Sequence, residues 1–66
     1  MADIRRQILK LLEKKTYGLS IEDVSRMLNI NRATSSKYLF SLESEKRIDV
    51  RIVGKAKLHY PKGTLR

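Results

Sequence analysis

From Asp3 to Lys15, apolar residues recur at Ile4, Ile8, Leu11 and Leu12, with Leu9 beside them. Steps of four, three and one match the period of a helix and not that of a strand, so the spacing predicts a first helix over about residues 3–15. Asp3 suits its N-cap, and Lys14 and Lys15 suit the negative end of the helix dipole. Thr16-Tyr17-Gly18 ends the pattern. Ser20-Ile21-Glu22-Asp23 then reads as a capping box, with an acid three residues after the hydroxyl, and Leu19 and Val24 are placed to form a hydrophobic staple across it. A second helix follows over about residues 21–28, turning Val24, Leu28 and part of Ile21 or Met27 inward. Asn29-Ile30-Asn31 is a short turn: Asn tolerates the left-handed conformation that closes a helix, and Asn31 can cap the next one.

The third helix is expected over about residues 32–45, with an inner stripe of Ser35, Tyr38, Leu39 and Leu42 and an outer stripe of Arg32, Ser36, Lys37, Phe40 and Glu43. After Lys46-Arg47 the period changes to two, with Ile48, Val50 and Ile52 alternating with Asp49, Arg51 and Val53. Gly54-Lys55-Ala56-Lys57 reads as the turn, and Leu58-His59-Tyr60 as a second strand stopped by Pro61. The expectation is one α+β domain over residues 1–66, mainly helical: three helices, then a C-terminal two-stranded hairpin over about residues 48–60.

Composition narrows the partners. The chain has 66 residues and 41% hydrophobic residues, enough for one small core and too little for two domains. No apolar run approaches the length of a membrane span or a signal-peptide core. With no cysteine, disulfides and thiolate metal sites are excluded. Fifteen Lys and Arg against seven Asp and Glu give a net charge of +8. The second half carries more of it: residues 34–66 hold eight basic and three acidic side chains, with no acid after Asp49. A polyanion is the natural partner of such a surface. Charge is also what solubility alone would require.

Two short helices joined by a three-residue turn, the second capped and basic, have the form of a helix-turn-helix. Ser25 supplies the small residue where the helices cross, and Ile30 the apolar residue that pins the turn. The stretch from Ser20 to Leu42, SIEDVSRMLNINRATSSKYLFSL, resembles the winged helix-turn-helix domains of bacterial and archaeal transcription regulators. Arg51 to Tyr60 resembles their β-hairpin wing, so the likeness covers about residues 4–60. Asn29 stands where Gly is usual, Ser35 where an apolar residue is usual, and Lys46 where Gly often ends the third helix.

That resemblance implies a double-stranded DNA partner, with the third helix in the major groove and the wing on the backbone or minor groove. Arg32, Ala33, Ser36 and Lys37 would then face bases, with Asn31 at the helix start, and Lys37, Lys55 and Lys57 would sit near phosphates. The competing account is that these charges only solvate a helix face and a turn. Phe40 is the outlier. On the outer stripe it is a thymine-methyl, stacking or dimer contact; otherwise it packs beneath the wing or against the first helix. Arg32, Ser36 and Phe40 also resemble, faintly, the recognition helix of winged helices that bind Z-form nucleic acid, but the wing prolines of that group are missing.

Other classes fare less well. The single His59 is expected as an exposed or half-buried strand residue, with no second His or Cys to build a metal site. No motif activates a serine, and no Gly-rich loop cradles a phosphate, so neither an enzyme nor a cofactor is expected. A protein-interaction winged helix needs an apolar outer stripe, and only Phe40 supplies one. Single-stranded RNA binding needs an exposed aromatic cluster. The first helix has an apolar stripe that would serve a homodimer, although the monomer core needs the same stripe. The expected setting is cytoplasmic, on DNA and away from membranes.

Overall fold

The structure, a computed structural model, describes residues 3–63. Arg66, counted above in the basic second half, lies outside the described residues. The order is α1 (Ile4–Lys14), α2 (Ile21–Leu28), α3 (Arg32–Ser44), β1 (Ile48–Val53) and β2 (Ala56–Pro61). Three helices thus precede a two-stranded antiparallel sheet.

Each helix starts on a side-chain cap. The Asp3 carboxylate accepts from the backbone N–H groups of Arg5 and Arg6. Ser20 and Asp23 form the reciprocal capping box, each side chain accepting from the other's backbone N–H at 3.2 Å. The Ser20 backbone N–H holds the Asp23 carboxyl below its ordinary 3.8, and the Ser20 hydroxyl and Arg26 add to the effect. Asn31 Oδ1 accepts from the Thr34 N–H at 2.7 Å. These contacts satisfy donors that a helix start otherwise leaves open.

α2 and α3 end alike. Asn29 (φ 54°) and Lys46 (φ 58°) are left-handed. Beyond them the Ile30 N–H reaches Ser25 O at 3.0 Å and the Arg47 N–H reaches Leu42 O at 2.9 Å. Both are the hydrogen bonds of a helix terminated by one left-handed residue. Asn and Lys do here what Gly more often does, at a cost of about 1 kcal/mol for the side chain.

The core is built from Ile8 and Leu12 of α1, Leu19, Val24 of α2, Leu39 and Leu42 of α3, and Ile48 of β1, all buried. Ile4, Leu9 and Leu11 pack against it as well. On α1, Ile8 and Leu12 are thus buried, while Ile4, Leu9 and Leu11 stay half-buried.

Register explains how the hairpin leaves the body. Ile48 pairs with Pro61, Val50 with His59 and Ile52 with Lys57. Along this face Ile48 is buried, Val50 half-buried and Ile52 72% exposed, so the strand pair starts in the core and projects beyond it. The turn is shorter than the sequence suggested. Val53 pairs with Ala56, leaving only Gly54 and Lys55 between the strands, and Gly54 has φ 60° as the first residue of a type II′ turn requires. Lys57 accordingly belongs to β2 and not to the turn.

His59 corrects another expectation: it is 2% exposed. Leu19 forms an isolated antiparallel bridge with it, with N–H to O distances of 3.0 and 2.8 Å. The His59 Nδ1–H also donates to Leu19 O at 2.7 Å. His59 pairs with Val50 across the hairpin, and nothing in the local sequence shows Leu19 arriving from the α1–α2 loop to cover it. Burial pushes the imidazole below its ordinary 6.5, the Leu19 carbonyl works the other way, and nearby Lys57 lowers it while Glu43 raises it. Gly18, next to Leu19, has φ 98°, and a Cβ there would lie 2.7 Å from the Tyr60 ring. Only glycine lets the loop lie this close to β2.

Candidate functional site

The crossing of α2 and α3 is set by two serines. Ser25 Oγ donates to Ile21 O at 2.8 Å and lies 2.7 Å from Ser35 Oγ, which is fully buried. Ser35 is a polar residue in a buried position, and Ser25 supplies the partner that makes its burial tolerable. The pair also fixes how α3 is rotated. With Ser35, Leu39 and Leu42 buried, Arg32, Ala33, Ser36, Lys37 and Phe40 are all turned outward and exposed. Asn31 is exposed too, but its side-chain oxygen is engaged in the cap.

Phe40 is 66% exposed, which decides between the readings of this residue: it packs neither beneath the hairpin nor against α1. Lys37 Nζ lies 5.8 Å from the centre of the neighbouring Tyr38 ring, a weak contact for an exposed cation.

The hairpin brings further cations to the same side. A groove of about 450 Å³ is lined by Ser20, Ile21 and Glu22 at the start of α2, by Arg32 at the start of α3, and by Lys55, Ala56 and Lys57 of the hairpin. Arg32, more than twenty residues before Lys55 and Lys57 in sequence, therefore shares one concave surface with them. Ser36, Lys37 and Phe40 lie outside that groove, farther along α3.

Two of the cations are paired. Arg32 lies 3.5 Å from the Glu22 carboxylate, and Lys57 Nζ donates to Glu43 Oε1 at 3.1 Å. Arg26 pairs with Asp23 at 2.7 Å, while Arg5 and Arg47 both meet Glu45. Lys37 and Lys55 have no carboxylate partner among the described residues. Sequence reading missed Glu22 and Glu43 as partners, because the contacts run between elements. It also placed Ile52 and Val53 in a strand without seeing that both end up exposed near the hairpin tip.

No group of three or more His, Cys, Asp or Glu side chains able to hold a metal ion occurs among the described residues. Nor is any described helix long and apolar enough to cross a membrane.

Comparison with known proteins agrees with this fold. No curated protein sequence matches significantly. Among solved structures, one described for the DNA recognition and protein interaction domains of HOP2 and its homologous DNA pairing properties is 25% identical. It covers 91% of this chain and 100% of that one, with a TM-score of 0.80. Reduced HlyU from Vibrio cholerae N16961 is 22% identical over 97% of this chain and 65% of that one, with a TM-score of 0.79. Dissimilatory sulfite reductase D is 13% identical over 97% and 92%, also at 0.79. The last two show the fold alone. A family model described as winged helix-turn-helix DNA-binding matches residues 1–49, which takes in all three helices. The chain belongs to the winged helix-turn-helix DNA-binding family.

Proposed function

We propose that the chain binds double-stranded DNA as a cytoplasmic transcription regulator, with α3 in the major groove and the hairpin as a wing on the backbone or minor groove. The observation that carries this reading is the outward row of Arg32, Ala33, Ser36, Lys37 and Phe40 on a helix whose opposite side is locked into the core. A helix presented in this way fits the width of the major groove. The HOP2 structure, described for DNA recognition, supports the choice of partner. In this reading Arg32 forks onto a guanine edge, Ser36 accepts either base, Phe40 meets a thymine methyl, and Lys37, Lys55 and Lys57 meet phosphates. A single module of this size reads few bases; a homodimer would double the site.

The test is duplex binding titrated against salt. Arg32→Ala should lose about tenfold on a preferred sequence and relax the preference at its base, at about 1–3 kcal/mol for a bidentate contact. The double variant Lys55→Ala/Lys57→Ala should weaken every sequence alike and flatten the salt slope by nearly two counterions, at about 0.9 for each phosphate contact. Equal binding by wild type and both variants ends the docking scheme.

A second reading, a protein-interaction module, draws on Phe40, Ile52 and Val53, three large exposed apolar side chains on α3 and the wing. If it holds, Phe40→Ala and Ile52→Ser abolish capture of a protein partner while Arg32→Ala leaves it intact.

A further inference from the structure

Two of the cations assigned to DNA are held by carboxylates of the same surface. Glu22 of α2 faces Arg32 of α3, and Glu43 of α3 faces Lys57 of β2. Both pairs join different elements: Glu22 and Arg32 line the groove at the start of α3, whereas Glu43, near the end of α3, reaches the groove-lining Lys57. We infer that Glu22 and Glu43 are affinity-setting residues that compete with DNA for Arg32 and Lys57, so that every encounter that recruits these cations is weakened. This inference rests on the DNA-binding reading above.

The physics is a competition for one cation. A phosphate that recruits Lys57 must displace Glu43, or else leave a carboxylate beside its own negative charge; either way part of the attraction is lost. A base edge that recruits Arg32 must likewise outbid Glu22. Any duplex that recruits these cations bears the loss, whatever its sequence. The carboxylates therefore lower affinity for preferred and arbitrary sequence alike. The opposite role, in which the carboxylates hold the cations in position for DNA, predicts the opposite sign.

Exposed pairs of this kind are weak, so removal of one carboxylate charge should raise affinity for a random-sequence duplex by about two- to fivefold. The experiment measures that affinity at fixed low salt for wild type, Glu43→Gln, Glu22→Gln and Glu13→Gln. Glu13 is exposed on α1 and has no cation partner among the described residues, so its variant reports the bare effect of one unit of charge. The gain for Glu43→Gln should exceed that for Glu13→Gln, and in a Lys57→Ala background it should shrink to the Glu13→Gln level. Glu22→Gln should likewise raise affinity more than Glu13→Gln, and the excess should vanish in an Arg32→Ala background. Equal gains for Glu43→Gln and Glu13→Gln, or a fall in affinity, overturn the competition while leaving DNA binding in place. No binding by wild type or any variant overturns the DNA reading, and the competition with it.

Discussion

The molecule divides into a packed base and a presented rim, and the border runs between adjacent residues. On α3, Leu39 is buried while Phe40 is 66% exposed. Along one hairpin face, Ile48 and His59 are buried at the base while Ile52 and Lys57 are exposed toward the tip. At the base, the two buried polar residues among those described are matched within the fold: Ser35 by Ser25, His59 by Leu19. At the rim, polar groups are left to solvent or to weak ion pairs. Stability and partner recognition are thus carried by different side chains, and substitutions should separate them.

The widest separation should come from the neighbouring pair on α3. Leu39→Ala removes a core side chain and should cost about 2–5 kcal/mol, a large part of the total for a domain this small. Phe40→Ala should stay within about 0.5 kcal/mol of wild type and act on binding alone. Urea unfolding of both variants checks this; similar midpoints would erase the border. Gly18→Ala comes next. It puts a Cβ at positive φ and against the Tyr60 ring, and should cost about 2 kcal/mol while leaving the rim unaltered in sequence. A circular-dichroism melt would show the loss, and an unchanged melt would mean that the loop does not lie on β2.

The smallest effect belongs to pH. Because burial lowers the His59 pKa in the folded state, the unfolded chain binds more protons below 6.5. Stability from this group is full above the unfolded value and falls as pH drops through 6.5 toward the lowered folded value. Unfolding midpoints between about pH 7.5 and 5.5 should decline in wild type, and decline less in His59→Gln. A flat wild-type profile would show that His59 is not buried neutral.

Local signals made much of this legible. Asp3, Ser20 and Asn31 announce three helix starts because capping is a matter of residues two or three apart. The inner and outer stripes of α3 follow from a 3.6-residue period, and the exposed residues of the candidate interface follow with them. What stayed hidden depends on contacts between distant segments. Nothing local says that Leu19 bridges to His59, that Ser25 satisfies Ser35, or that Glu43 reaches Lys57. The hairpin turn was drawn too long because Lys55 and Lys57 suit a turn as well as a strand edge, and only the pairing of Val53 with Ala56 decides it.

The central claim, that the rim and not the rest of the surface meets DNA, is tested most directly by amide chemical-shift mapping during titration with a duplex. The alternative basic face is the outer stripe of α1, where Arg6, Lys10 and Lys14 are exposed at successive turns. The account predicts perturbations concentrated at Asn31–Phe40 and Gly54–Lys57, with α1 nearly silent. Perturbations concentrated at Arg6, Lys10 and Lys14, with α3 unmoved, would contradict it.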